Sequence, residues 1–557
     1  MKKRLQTAEE LSMFETVMEN NPLDSQREIV EKLGIPRSTL RHWLKRKNAI
    51  DAAPEVIEFF ESPVGTAFLH RLVLGAHFSF SLCSPCGIRP ICLYLELTGL
   101  NHFVASSYGS QQKVSVAMED EARAFAVQEE VWLSEGMPRK EITTIKDETF
   151  HPETCLVAIE PVSNYILLEQ YADGRKADDW NSAMEEATKG LNIEVIQCTS
   201  DEGRGIVSHV TNDLNAHHSP DLFHIQQELT RGTSVSLKSR EKKAEKTLTQ
   251  SSEELLVHKE AKALYNEGKR PVGRPPDFDT RIRKAVDQKE TAEKALETAE
   301  KHRESVSQAI KGIGEVYHPY DLETGVQRSP KDLSSAIESH FSTIEQVASE
   351  SSLPEPCMKK INKAKRMVPK MIATLTFFFL TITAKIEAFS LPQDVEQCVY
   401  NNLIPGIYLD IVSKKADTKE QREALRKKSY ELLLPFQSEN GSLKNMDQNE
   451  VALLESVAVE CAQIFQRSSS CVEGRNGHLS LYHHSLHRLS ERKLEALTAV
   501  HNFFTKRRDG TTPAERFFGK KPKDMFECLL EKVDLPGRPA QKRSHYEQKN
   551  YIINNAA

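Results

Sequence analysis

Polar and apolar residues alternate through one short region of the chain and recur every third or fourth position through most of the rest. In Glu141-Ile-Thr-Thr-Ile-Lys-Asp147 the alternation ends on an acid. Apolar runs at residues 154–160 and 165–171 follow, with residues 161–164 between them. This is a strand and hairpin pattern. Residues 176–189 read as a helix, and Ile193-Glu-Val-Ile-Gln-Cys-Thr-Ser-Asp201 is a further apolar run that again ends on an acid. The pattern predicts three antiparallel strands, a helix, and a strand returning beside the first. Asp147 and Asp201 then share one edge of an α/β sheet.

Helical signals dominate elsewhere. Ser25-Gln-Arg-Glu28 is a capping box, in which the serine serves free amides and the glutamate reaches back. Ile29 and Leu33 share a face, Gly34 permits a turn, and Pro36 suits the start of the next helix. Leu40, Trp43 and Leu44 recur at helical spacing and should face inward, leaving Arg37, Ser38, Arg41, His42 and Lys45 outward. In a helix-turn-helix that outward face enters the major groove, and Lys45-Arg-Lys47 adds charge for phosphates. An ordinary helical hairpin with a solvated basic face has the same pattern.

Residues 51–135 read as a mixed, mainly helical connecting domain, with helices over residues 68–80 and 117–133. Residues 231–265 and 283–310 are charge-rich helices. Ala285, Ala292, Leu296, Ala299, Val306 and Ile310 recur at three- and four-residue steps, as in a helical hairpin or short coiled coil. Between the two, Gly268-Lys-Arg-Pro-Val-Gly-Arg-Pro-Pro276 reads as a linker whose Gly-Arg-Pro core resembles an AT-hook, which follows the minor groove. Residues 371–383 are the most apolar run. They fall short of the ~20 residues of a membrane span, so a buried core helix is expected.

Composition narrows the class. The chain has 557 residues, enough for roughly three or four domains at ~150 residues each. Hydrophobic residues make up 39% and charged ones 28%, so a soluble chain with a large core is expected. The net charge of −6 excludes a uniformly basic nucleic-acid coat, so any contact with DNA needs local patches. Ten scattered cysteines give no disulfide framework, and polar residues follow Met1-Lys-Lys-Arg. A cytoplasmic, nucleoid-associated protein of prokaryotic type is expected, with no membrane partner. Cys83-Ser-Pro-Cys86, with His77 and Cys92 nearby, lacks a second ligand pair at zinc-finger spacing, so buried free thiols are expected.

Paired carboxylates at neighbouring strand ends suit a hard divalent cation. Asp221-Leu-Phe-His224 follows Asp201. With this element the sequence resembles the DDE transposases of the ribonuclease H-like superfamily, many of which carry Cys/Asp-x-x-His just after the second catalytic acid. An apolar helix at 451–465 leads to Glu473-Gly-Arg-Asn-Gly477, which offers a third acid. Asp509-Gly-Thr-Thr-Pro-Ala-Glu515 is similar to a phrase near the end of transposase catalytic domains, and the last third is similar to a little-studied transposase-associated family. Asp201 and Glu473 are 272 positions apart (473 − 201), far more than in compact members. The hAT group places a large helical insertion at this point, and Glu148, Glu202 and Glu460 are rivals to Glu473.

The resemblance implies a ribonuclease H-like mixed sheet with an N-terminal helix-turn-helix and a large all-α insertion. Its segments are residues 1–50 for DNA binding, 51–135 connecting, 136–230 and 451–520 the catalytic core, and 231–450 the insertion; by composition residues 521–557 are a basic tail, expected to be disordered from Pro536. It implies that Asp147, Asp201 and Glu473 are the catalytic and metal-binding triad, holding two Mg²⁺ or Mn²⁺ ions. Asp221, His224 and Arg475 would support them, and Arg475, His478, His483 and His484 would line the DNA path. The activity implied is cleavage at transposon ends and strand transfer into target DNA, by a homodimer or larger assembly on double-stranded DNA. Two other readings stand beside it: a catalytically inactive, transposase-derived DNA-binding regulator, and a helical scaffold whose 230–310 segment mediates oligomers.

Overall fold

The computed structural model describes residues 2–22, 24–150, 153–269, 273, 276–437, 446–486 and 488–539. The chain opens with α1 (Lys2–Asn20), α2 (Gln26–Lys32) and α3 (Arg37–Lys47) around a small core of Leu11, Phe14, Ile29, Val30, Ile35 and Leu40. The capping box forms: Ser25 N–H donates to Glu28 Oε2 at 2.7 Å, and Ser25 Oγ accepts from Glu28 N–H. Trp43 and Leu44 are half-buried against the same core.

Helix α4 (Tyr108–Ser134) leads into a five-stranded sheet. Its strands are β1 (Lys140–Phe150), β2 (Thr154–Glu160), β3 (Tyr165–Ala172), β4 (Ile193–Ser200) and β5 (His217–Pro220), with α5 (Ala177–Ala187) between β3 and β4. Their order across the sheet is β3-β2-β1-β4-β5. The β1/β2 and β2/β3 pairs are antiparallel, while β1/β4 and β4/β5 are parallel. The first four strands lie where alternation predicts them. Strand β5 has only four residues, two of them histidine, and carries no alternating signal. Strand β1 also continues past Asp147, because Glu148, Thr149 and Phe150 go on pairing with Leu156, Cys155 and Thr154.

Helices α6 (Leu222–Asn266) and α7 (Phe278–Val316) form a long antiparallel hairpin. Helix α6 starts at Leu222 because Asp221 caps it, its side chain accepting from Phe223 N–H at 2.8 Å. The hairpin's base joins a helical core through Leu222, Ile225 and Leu229 of α6 and Val306, Ala309 and Ile313 of α7. Helix α8 (Val368–Glu387) buries Met371, Leu375, Phe378, Ile382 and Ile386 in the same core, as expected of the most apolar run. Among the described residues one helical stretch, Glu355–Glu387, is long and apolar enough to cross a membrane. Helix α8 also lies along the β5 edge of the sheet, where Phe377 stacks on His217 at 4.5 Å and Thr374 donates to Ser219 Oγ at 3.2 Å.

Helices α9 (Ser470–Leu486) and α10 (Glu491–Phe503) cover one face of the sheet, packing Val472, Leu479, Tyr482, Leu494 and Leu497 on Ile145, Val157, Ile159 and Ile166. The opposite face carries Leu156, Ala158, Leu168 and Cys198 under Trp180 and Met184 of α5. Each fully buried Val, Leu, Ile or Met side chain among these stabilises the fold by about 1.5–3 kcal/mol.

Two expectations change. Cys83 is exposed, and Cys86 and Cys92 are half-buried, so these free cysteines are not core residues. The start of the tail is held: Gly537 O accepts from Ala105 N–H at 2.8 Å, and Arg538 pairs with Glu61. Disorder therefore does not begin at Pro536, and residues 540–557 lie outside the described residues. The AT-hook-like phrase falls largely on residues 270–272 and 274–275, also outside them.

Candidate active site

The pairing of β1 with β4 decides which groups meet. The last registered pair is Lys146 with Ser200. One residue further along, Asp147 is still on β1 while Asp201 follows the last residue of β4, so the register brings the two acids to the same end of the ladder, and the charge of Asp201 acts on Asp147. That partnership depends on a register shift. Ile142 pairs with Val195 but Thr143 pairs with Gln197, leaving Ile196 as an extra residue. Without this bulge Asp147 would face Ser200 instead. Beyond the pair, β4 has ended, and Asp201 Oδ1 accepts Gly203 N–H at 3.0 Å. A Cβ on Gly203 would stand 2.9 Å from that oxygen, so any larger residue there would make the Asp201 carboxylate shift.

Asp147 and its neighbour Lys146 point to opposite faces, as a strand requires. Lys146 is fully buried beneath Trp180, 5.5 Å from the ring centroid, and burial pushes its ammonium down to about 8. Asp147 faces α9. Burial first, and then the negative charges of Glu473 and Asp201, push its carboxyl up to about 7, against the Glu148 N–H that it accepts at 2.9 Å. His224 acts in the opposite sense. Asp201, Glu473 and His224 are thus all within electrostatic reach of Asp147.

Glu473 sits in the first turn of α9, and Asn476 follows one turn later on the same side. Asn476 Nδ2 donates to Asp147 Oδ2 at 2.9 Å. This residue escapes sequence reasoning, although its i+3 spacing from Glu473 marks it. The His224 Nε2 atom lies 3.6 Å from Asp221 Oδ2 and 3.9 Å from Glu473 Oε1, and is buried without a hydrogen-bond partner. Asp221 is buried and structural. Besides capping α6, it accepts from Ser469 N–H at 3.2 Å and Ser469 Oγ at 2.5 Å. It therefore holds the entrance of the helix that carries Glu473.

Arg475 does not line a DNA path. Its side chain is 3% exposed and grips the fully buried Glu169 through Nε at 2.8 Å and Nη2 at 2.5 Å. Thr498 Oγ1 adds a third donor to Glu169. Burial raises the Glu169 carboxyl, but the guanidinium more than offsets it and leaves it below its usual range. This pair staples α9 to β3 and α10. Of the rival acids, Glu148 accepts from Arg175 and Trp180, Glu202 pairs with Lys370, and Glu460 is exposed on the helix Gln448–Ile464. None of these three acts on Asp147 as Glu473 does.

A cleft of about 790 Å³ opens on the opposite side of α9, lined by Cys471, Gly474, Arg475 and His478 together with Phe504 and Lys506. It is separate from the acids, because residues 473 and 476 lie across the helix from 471, 474, 475 and 478. His484 is exposed and His483 half-buried, both near the end of α9. Among the described residues no group of three His, Cys, Asp or Glu side chains is close enough to hold a metal ion as it stands. On α3, Arg37, Ser38, Arg41, His42 and Lys45 are all exposed.

Residues 399–545 match DUF6399, a family of unknown function. That stretch includes Glu473, Arg475 and Asn476 but not the sheet. No curated protein and no solved structure matches the chain.

Proposed function

We propose that the chain is a DNA transposase of the DDE type, built on a ribonuclease H-like core, with Asp147, Asp201 and Glu473 as its acids. The observation that carries this reading is the convergence at Asp147. The β1–β4 register sets Asp201 beside it, and a glutamate from the last hundred residues adds its charge to the same carboxyl. The strand order, with three antiparallel strands followed by two parallel ones, supports the ribonuclease H-like assignment. So does the long helical hairpin that begins just after the second acid.

The donor set fits Mg²⁺ or Mn²⁺, which take carboxylate oxygens and complete their shells with water and phosphate. Asp147, Asp201 and Glu473 would hold the ions, and Asn476 would orient Asp147 through its amide. When bound, a pair of such ions activates water and neutralises charge on a scissile phosphate. In the metal-free form burial, and after it the charges of Glu473 and Asp201, hold the Asp147 carboxyl up at about 7, so the neutral acid is favoured there. Two acids and a helix-borne third need no serine or tyrosine nucleophile, which suits direct strand cleavage followed by strand transfer. The exposed basic face of α3 would dock on duplex DNA as the second helix of a helix-turn-helix.

The second reading, an inactive transposase-derived regulator, draws on the exposed basic face of α3 alone, which needs no metal to bind DNA. One experiment separates them. Supercoiled plasmid carrying the DNA that flanks the coding sequence is incubated with the protein and Mn²⁺ or Mg²⁺. Nicking that falls about 10³-fold or more in Asp201→Asn, with DNA binding retained, supports the transposase. Binding without metal-dependent nicking in the wild type supports the regulator. An Arg41→Ala change should weaken binding across sequences and lower the salt slope by about 1.

A further inference from the structure

The segment joining helix Gln448–Ile464 to α9, residues 465–469, passes between the two feet of the α6–α7 hairpin. At the α6 foot, Leu222 N–H donates to Arg467 O at 2.9 Å, and Asp221 takes both donors of Ser469. At the α7 foot, the Arg467 guanidinium donates to Gly314 O at 2.8 Å and Tyr317 O at 3.4 Å. The Tyr317 ring meets Phe465 edge-on at 5.3 Å. The same connector touches the sheet two residues before Asp201, where Thr199 Oγ1 donates to Gln466 O at 3.4 Å. It then feeds directly into the site, because Glu473 N–H donates to Ser469 O at 3.0 Å and closes the first turn of α9.

We propose that Arg467 is a positioning residue for Glu473, locking the connector to both feet of the hairpin so that these fixed feet set where the third acid stands. The proposal rests on the reading of Asp147, Asp201 and Glu473 as one site. A guanidinium presents several donors in a fixed plane and can hold two carbonyls at once, which a lysine ammonium does with less geometric control. The carbonyls it holds end α7, where the helix carries partial negative charge. The feet are fixed points: α6 buries Leu222, Ile225, Leu229 and Leu237 in the helical core, and α7 buries Val306, Ala309 and Ile313 there. Arg467 and Ser469 therefore tie the connector to a rigid part of the molecule.

The test uses the full-length chain with Arg467→Ala and the milder Arg467→Lys, read in two ways. Amide hydrogen exchange of residues 470–474 should speed up about tenfold or more in Arg467→Ala, with β1 and β2 still protected, and less in Arg467→Lys. The Mn²⁺ concentration needed for half-maximal plasmid nicking should rise about tenfold or more, while plasmid binding stays as in the wild type. Unchanged exchange at residues 470–474 overturns the proposal, as does a loss of nicking that merely tracks the fraction of folded protein with an unaltered Mn²⁺ requirement. If Arg467→Ala does not fold, the same two readouts on Arg467→Lys decide. A wild type that never nicks DNA defeats the nuclease reading alone, since the exchange measurement is still informative about α9.

Discussion

Asp147 and Asp201 are brought together by a backbone ladder, while Glu473 is brought to them by side chains. Asp147 lies on β1 and Asp201 directly follows β4, two strands whose register is fixed by seven paired positions and one bulge. The third stands on a helix held by Arg475 on Glu169, by Ser469 on Asp221 and by apolar packing on Ile145 and Val157. A ladder is cooperative and tolerates the loss of any one side chain. A staple of charged groups in a dry interior depends on each partner. The acid site is therefore expected to fail first on its helical side.

The largest effect should come from Arg475→Met. It leaves Glu169 buried and unpaired, and should lower stability by about 3–5 kcal/mol in a urea titration. The double change Arg475→Met with Glu169→Met should recover most of that loss, because neither charge is then stranded. Asp201→Asn, on the ladder side, should leave the unfolding free energy from the same titration within about 0.5 kcal/mol of wild type. Equal losses in Arg475→Met and Asp201→Asn would erase the distinction between the two constructions.

The same contrast explains what is legible in the sequence. Strands β1 to β4 and helix α5 are readable because a half-buried strand alternates and a surface helix repeats, and both signals are local. The bulge at Ile196 is not, since one extra residue in an apolar run changes no periodicity, yet it sets the partner of Asp147. Asp221 and His224 stand out through a family phrase, but the structure makes Asp221 a helix cap and clamp. Arg475 is misread for a similar reason. Beside an acid it reads as a phosphate contact, and its partner Glu169 lies 306 positions away. Glu473 is named from its Glu-Gly-Arg-Asn phrase, and no spacing rule carries it across the helical segment.

Next in size is a pH effect that tests whether Glu473 reaches the pair. Asp147 has a folded value of about 7 against an ordinary 3.8. The folded state therefore binds the proton more tightly than the unfolded state. Its stability is highest below the unfolded value and declines as pH rises from about 4 to 7. Asp147→Asn should remove this decline in metal-free protein, gaining about 1–3 kcal/mol over wild type at pH 8 and little at pH 4. Glu473→Gln should shift the decline to lower pH, because one of the charges that raises Asp147 is gone. Glu202→Gln should not, since Glu202 is paired with Lys370. Thermal melts across pH 4–8 check all three. An unmoved transition in Glu473→Gln would separate the helix from the ladder and leave only two acids.

A smaller loss is expected where the two constructions meet. Asp221→Ala removes the α6 cap and both bonds to Ser469, and should lower stability by about 1–2 kcal/mol. Ser469→Ala, which deletes one donor and keeps the cap, should lower it by less. If Asp221→Ala also raises the Mn²⁺ requirement for nicking while Asp332→Ala, at an exposed first turn of helix Pro330–Glu350 far along the chain, does not, the clamp serves the acids and not only the helix.

The smallest effect belongs to the ion pairs that run from α8 to the sheet. Lys370 pairs with Glu202, beside Asp201, and Lys385 Nζ lies 2.5 Å from Glu141 Oε2 at the other end of β1. Lys370 is 45% exposed and Glu202 25%, so water competes with the pair and salt screens it. Lys370→Gln should change stability by about 0.2–1 kcal/mol, with the difference shrinking in high salt. Its interest lies in charge. Lys370 occupies Glu202, the acid next to Asp201, and freeing that carboxylate adds a negative group near the ladder-built pair without touching α9. If Lys370→Gln lowers the Mn²⁺ requirement for nicking while Glu473→Gln raises it, the metal responds to the two sides of the site separately. If neither change moves the requirement, the acids on β1, β4 and α9 do not share a metal, and the convergence at Asp147 is electrostatic only.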